Sequence, residues 1–277
     1  NMKNWKLLDT LFHSSDLQFI DMKKGLTNTN YLLKTKEDAY VLRVPRSDSA
    51  NIVHRHHETL ALEAIKDSHI DVEMLYYDES SGYKLTRYVE NAMTYQECPD
   101  ENKIEQVAAL MKKFHNLNKQ IHVSFDPVKR LESYMQHIQD PIYDLSPYMY
   151  LKDRIKNHPH KTCLCHNDWV DGNILFTKEN VYLIDYEYAA DNDPLFDVMS
   201  FLSENKIFDE EERKRFYTIY FEGKEVPYKE LHLWETFMNI LWCAWAMMMW
   251  ESRKEDVYKQ IAEDKYHALL VCLKSHI

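Results

Sequence analysis

The chain has 277 residues, 45% of them hydrophobic, enough for one large domain or two lobes around a real core. Its formal net charge of −11 argues against a nucleic-acid substrate and favours a small cationic partner steered by the field. A nucleotide bound by so acidic a chain calls for a metal ion to bridge the charges. The cysteines Cys98, Cys163, Cys165, Cys243 and Cys272 form no C-x-x-C pair and read as reduced, buried thiols of a cytoplasmic protein. Residues 1–6 are polar, so no secretory leader is expected. The longest apolar run, 237–250, is too short to span a bilayer and contains Asn239, so no membrane insertion is expected.

In chain order, a short helix is expected at 5–14 and an alternating strand at 17–20. The turn Lys24-Gly25-Leu26-Thr27-Asn28-Thr29-Asn30 leads to strands at 31–35 and 39–44, the second stopped by Pro45. Such a hairpin can cover phosphates with turn N–H and hydroxyl groups. With one glycine and no G-x-G-x-x-G, an ordinary hairpin is the reading these residues favour by themselves. Residues 54–68 have helical periodicity that puts Glu58 on the face of Leu62 and Ile65. An acid there is either solvated at the rim or paired, and Arg43 on the preceding strand is the available cation. Strands at 74–77 and 83–89, joined by Ser80-Ser81-Gly82, complete a five-stranded antiparallel sheet with one helix. Beyond residue 90 the period becomes helical, at 102–118, 131–139 and 148–157. The fold class is therefore α+β: a small antiparallel β-sheet lobe over 1–89 and a larger, mostly helical lobe over 90–277.

The chain is organised around Cys165-His166-Asn167-Asp168-Trp169-Val170-Asp171-Gly172-Asn173, a short apolar strand, a turn at 177–180, and a second apolar strand ending at Asp185. In a hairpin, Asn173 at the start of one strand and Asp185 at the end of its partner reach the same end, and Asp168 lies on the loop leading in. An amide and a carboxylate at one point suit Mg²⁺, which takes one or two carboxylates plus phosphate oxygens. Asp168 is left to meet a hydroxyl proton. The competing reading is an Asx-rich turn, which the hairpin and the closing Asp185 disfavour. Helices are expected afterwards at 194–206, 209–222, 229–252 and 254–275.

These residues, with Ile184-Asp185-Tyr186-Glu187-Tyr188, Phe196-Asp197, Glu204 and Trp242-x-x-Trp245, resemble the choline/ethanolamine kinases. That family is a branch of the aminoglycoside-phosphotransferase-like kinases, with a protein-kinase-like bilobal fold. The 26–31 turn and Thr86-Arg87-Tyr88 resemble the bacterial choline kinases linked to phosphocholine decoration of surface polysaccharide. The resemblance implies ATP and Mg²⁺ as cofactors, Asp168 as catalytic base, Asn173 and Asp185 as metal ligands, and His166 as a structural anchor of the catalytic loop. It also implies Arg43 and Glu58 as the phosphate-side ion pair, Thr27, Asn28 and Asn30 at the phosphate turn, and the backbone around Thr86 and Tyr88 as the adenine hinge. The phosphate turn departs from the kinase pattern in having only Gly25.

The resemblance further implies Tyr188, Glu204, Trp242 and Trp245 as the choline site. Choline has no N–H to donate, so recognition falls to aromatic faces and a nearby negative charge. Trp242 and Trp245 share a helix face, although aromatics at that spacing are also ordinary core, and Glu204 alone would read as an exposed acid. Rivals are the same chemistry on ethanolamine, thiamine or another amino alcohol, an aminoglycoside kinase, and a non-catalytic module that captures quaternary ammonium. Oligomeric state is not legible.

Overall fold

Strands β1 (Gln18–Lys24), β2 (Asn28–Lys34), β3 (Ala39–Pro45), β4 (Met74–Tyr77) and β5 (Lys84–Arg87) form one antiparallel sheet in the order β1-β2-β3-β5-β4. This computed structural model describes residues 17–24, 26–47, 55–159 and 161–275. The expected helix at 5–14 and the turn glycine Gly25 lie outside the described residues. The two-residue period of a strand sends Tyr31, Leu33, Leu42 and Leu85 to one face, where they form their own hydrophobic cluster. Arg43, next to Leu42, therefore points to the opposite face, directly across from Lys84 of β5. Helix α1 (Arg55–Ile65) buries Glu58, Ala61, Leu62 and Ile65, the i, i+3, i+4, i+7 stripe. Glu58 is thus enclosed, and the rim alternative is excluded.

The larger part of the chain is helical: α2 (Lys103–His115), α3 (Pro127–Gln136), α4 (Tyr150–Lys156), α5 (Pro194–Glu204), α6 (Glu210–Tyr220), α7 (Tyr228–Arg253) and α8 (Asp256–Lys274). Helix α3 starts before the expected 131 because Asp126 accepts the Lys129 N–H and Pro127 fits the first turn. Helix α7 packs against α3, α4, α5 and α8 and is buried around most of its circumference. Lys254, in the left-handed region at φ 55°, turns the chain from α7 into α8. Among the described residues no helix is long and apolar enough to cross a membrane.

Short strands position the central loop. β7 (Cys163–Cys165) pairs with β10 (Ala190–Asn192), and β8 (Ile174–Phe176) lies between β6 (Met93–Thr94) and β9 (Val181–Leu183). Asn173 closes the 3₁₀ turn Asp171–Asn173 rather than opening β8, and Asp185 lies beyond the end of β9. The Ile184 N–H donates to the Asn173 carbonyl at 2.9 Å, so the backbone just before Asp185 lies against that of Asn173.

Candidate active site

His166 is enclosed and neutral in geometry. Its Nε2 faces the Ile184 carbonyl at 2.9 Å, and its Nδ1 faces the Asp168 N–H at 3.2 Å. Burial, above all, lowers its pKa, and both ring nitrogens are engaged within the loop. The loop hangs from Asp197 on α5. That carboxylate accepts the His166 N–H at 3.0 Å and the Asn167 N–H at 2.7 Å, and meets His115 Nε2 of α2 at 2.8 Å. Burial alone would raise the Asp197 pKa, but the His115 hydrogen bond and charge hold it below the usual range. Asn167, at φ 69°, adds a bond from its amide to the Tyr188 carbonyl at 2.8 Å. His115 was absent from the sequence reading, and Asp197 had no role there. An acid inside the apolar stripe of α5 was the available signal, since it demands a partner.

Asp168 is half-buried. Its Oδ2 and its carbonyl accept from Asn173 Nδ2 at 3.1 and 2.9 Å, which leaves the Asn173 amide oxygen on the opposite edge. Burial first, then the charges of Asp185, Glu204 and Glu187, push Asp168 well above the usual carboxylate range. The structure therefore brings these acids into one field. Asp185 adopts φ 66°, and its Oδ1 is buried without a hydrogen-bond partner; the Arg43 guanidinium lies 3.9 Å away. An orphaned carboxylate oxygen and the Asn173 amide oxygen are hard donors of the kind a divalent cation takes.

Arg43 and Glu58 form the expected pair, doubly bonded at 2.7 and 2.8 Å. Burial alone would raise the Glu58 pKa, and the Arg43 charge more than reverses it. Lys84 is a second cation that the sequence reading missed. It is buried 3.5 Å from Asp71 and 5.8 Å from the Tyr186 ring centre, and its charge also reaches Glu58. Arg43 and Lys84 are thus engaged by Glu58 and Asp71, and Arg43 also lies 3.9 Å from Asp185 and from Glu187.

The phosphate turn differs from expectation in detail. Thr27 Oγ1 donates to Glu187 at 2.9 Å and Asn28 Nδ2 at 2.5 Å, so both side chains already hold an internal partner. Glu187, whose role the sequence left open, is the acceptor, and burial followed by the Asp185 charge pushes it up to about 7. Asn30 pairs across the sheet with Arg43. Thr86 is a ladder residue between Val41 and Met74, while the Arg87 and Tyr88 N–H groups bond Glu73 and Ala39. The Tyr88 N–H is consequently engaged in the sheet. Asp171 accepts the Gln96 N–H at 2.6 Å and secures β6.

Tyr188 lies in the same field: burial, then Tyr134, Glu187 and Asp168, keep its hydroxyl protonated. Glu204 ends α5 and is ion-paired with Lys265 of α8, a contact the sequence did not show. Trp242 and Trp245 meet edge-on, with centroids 6.4 Å apart at 88°. Trp245 is 8% exposed and stands 5.6 Å from Tyr258, whereas Trp242 is half-buried and touches Phe196. The pair is thus partly core, as the competing reading held. All five cysteines are free, but Cys163 is only half-buried. His115, Cys163 and Cys165 lie within 4.8 Å of one another, yet both His115 nitrogens are engaged, by Tyr220 at 2.7 Å and by Asp197.

A small antiparallel sheet joined to a helical body is the architecture of kinase-like phosphotransferases. The sequence profile of the choline/ethanolamine kinase family matches residues 19–230, and the chain belongs to that family, whose members are kinases acting on small alcohols. Protein LicA of Haemophilus influenzae is 25% identical over 241 residues, covering 80% of this chain and 70% of LicA. The choline kinase LicA of Streptococcus pneumoniae superposes with a TM-score of 0.85 at 22% identity, over 96% of this chain and 97% of that one. The aminoglycoside phosphotransferase APH(4)-Ia does so with a TM-score of 0.72 at 14% identity, over 97% and 98%.

Proposed function

We propose that the protein transfers the γ-phosphoryl group of ATP, with Mg²⁺, to the hydroxyl of choline, giving phosphocholine in the cytoplasm. The observation that carries this reading is the buried, unpartnered Asp185 Oδ1 in the same field as Asp168 and Asn173. Asp168 Oδ2 is held by Asn173, so Oδ1 is the atom that receives the hydroxyl proton. Its raised proton affinity suits a base acting on an alcohol. Asn173 and Asp185 would hold the magnesium ion, which when bound would supply positive charge to the phosphates. Arg43, fixed by Glu58, faces the phosphates, and residues 1–89 carry the nucleotide with Thr86 and Tyr88 on the adenine side. In this division residues 90–277 carry the alcohol: Tyr188 and Trp242 offer ring faces to the methylated nitrogen, backed by Trp245, and Glu204 supplies the counter-charge. His166 holds the shape of the loop.

The family includes ethanolamine kinases, so the same transfer to ethanolamine is the reading to exclude. Steady-state kinetics of the purified chain with MgATP and each alcohol decide between them. A higher kcat/KM for choline is expected. A preference for ethanolamine refutes the substrate, and binding of choline without turnover refutes the catalysis.

A further inference from the structure

The turn at 26–28 is held by residues from the far end of the chain. The Leu26 carbonyl accepts from Arg253 Nη1, at the last residue of α7. The same nitrogen donates to Tyr258 Oη of α8 at 2.5 Å, and that ring is fully enclosed, 5.6 Å from Trp245. Two residues after Arg253, Glu255 Oε2 receives Arg46 Nη2 at 2.9 Å. The Arg46 N–H donates to the Thr27 carbonyl at 2.9 Å and closes the base of the turn, where β2 and β3 begin to pair at Asn28 and Pro45. Two consecutive carbonyls of the turn are therefore tied to residues 253–255, Leu26 directly and Thr27 through Arg46. That anchor is firm, because α7 is buried around most of its circumference and Lys254 reverses the chain into α8 at φ 55°. Leu26, by contrast, is 38% exposed. A surface turn keeps one conformation only where its backbone groups are held, since each released residue regains conformational entropy.

We propose that Arg253 is a positioning residue for the nucleotide phosphates: with Glu255 and Arg46 it fixes the backbone of the 26–28 turn in the form that meets them. This rests on the phosphotransfer reading above, and not on which alcohol is the acceptor. Arg253 acts through the turn and touches no reacting atom. Its guanidinium suits the task, because one nitrogen carries two N–H donors and so serves a carbonyl and a hydroxyl together. A charged donor also makes the stronger bond to a carbonyl. The proposed adenine side is well removed from this turn. Along β3, Pro45 pairs with Asn28 and Val41 pairs with Thr86. At about 3.3 Å per residue, these four steps separate the turn from Thr86 by about 13 Å. Loosening the turn is therefore felt by the phosphates and not by the base.

The test compares Arg253→Met with the parent on the full chain. Three constants are read: KM for MgATP, the inhibition constant of adenosine, which has the base and no phosphate, and KM for choline or ethanolamine, whichever the parent turns over faster. KM for MgATP should rise about fivefold or more, while the other two stay within about twofold. If Arg253 serves only the packing of α7 against α8, its loss lowers the melting temperature and kcat, with the three constants unchanged or shifted together. Either of those patterns overturns the proposal. Glu255→Lys, at a side chain 42% exposed, sets a cation against Arg46 and decides the matter where the methionine variant does not fold. Its KM for MgATP should rise about threefold with the adenosine constant unmoved, and an unmoved KM for MgATP overturns the proposal. The parent protein tests the underlying reading by itself. A parent without MgATP turnover removes that reading and this inference with it. A parent with turnover, beside variants of unchanged KM for MgATP, removes only the inference.

Discussion

Removing the Glu58 carboxylate tests the buried charge balance most directly. The Arg43 side chain is 9% exposed and gives Glu58 two bonds, at 2.7 and 2.8 Å. Truncating one member of such a pair costs about 3–5 kcal/mol, because the other charge stays buried. In Glu58→Ala, Arg43 keeps the Gly82 carbonyl at 3.1 Å and can swing to Asp185 and Glu187, each 3.9 Å away. The expected loss is therefore at the lower end, about 3 kcal/mol, or roughly 6–12 °C in Tm for a chain of this size. The swing also neutralises the carboxylate proposed for the metal. A contact between unit charges near 4 Å is worth about 4 kcal/mol at an effective dielectric near 20, so a rise of about tenfold in KM for MgATP is a modest expectation. Urea unfolding followed by tryptophan fluorescence, with kinetics at varied MgATP, reads both effects. Burial raises and Arg43 more strongly lowers the Glu58 pKa, which ends below its ordinary 4.5. Its stabilisation is complete above pH 4.5 and is lost as pH falls through the lower folded value, so the variant should lack that part of the acid limb. A Tm within about 2 °C of the parent, together with an unchanged KM for MgATP, would refute the reasoning.

Asp168→Asn should lower kcat by about 10²–10⁴ while nucleotide affinity, measured by calorimetry, persists; parent-like turnover would remove its role as base. Gly82→Ala should destabilise by about 1–3 kcal/mol in urea unfolding, because Gly82 sits at φ +76° and an added Cβ would lie 2.7 Å from Pro45 Cγ and Arg55 Nε. Trp242→Ala should raise KM for choline by about 2- to 30-fold and leave KM for MgATP in place. Trp245→Ala should instead cost about 3–5 kcal/mol of stability, since that indole is nearly enclosed; a melting temperature equal to that of the parent would show it is not core.

What could be read in advance follows from how local each signal is. The spacing of His166, Asp168 and Asn173 and the apolar hairpin to Asp185 is a property of one contiguous stretch, and the structure bonds Asp168 to His166 and to Asn173, with the Ile184 N–H on the Asn173 carbonyl. The Arg43–Glu58 pair was legible only as an alternative, because one residue on an apolar helix face has two solutions until the sheet is built. The partners of Glu187 and Glu204 were not legible. Thr27, Asn28 and Lys265 lie some 60 to 160 positions away in the chain, and no periodicity encodes that register. His115 was hidden for the same reason: on α2 it is one more buried residue until Asp197 arrives from α5. The start of α3 was missed for a local reason, the Asp126–Pro127 cap.

The central loop is built against its own electrostatics. Asp185, Glu204 and Glu187 each raise the pKa of Asp168, so the four acids repel, and a free loop would turn them apart. This loop is tied at each of its first residues. The Asp197 carboxylate holds the N–H groups of His166 and Asn167, His166 spans to the Ile184 carbonyl, and Asn167 spans to the Tyr188 carbonyl. Hydrogen bonds to a buried charge contribute about 1.5–3 kcal/mol each, enough for a few of them to outweigh like-charge contacts that solvent and Arg43 partly screen. Asp197 can do this because His115 supplies its third contact, so the acid that pins the loop is itself satisfied while Asp185 Oδ1 is not. On the proposed function, the unpartnered Asp185 oxygen would then belong to a loop whose start is fixed by hydrogen bonds, which is the preorganisation that binding a cation would need.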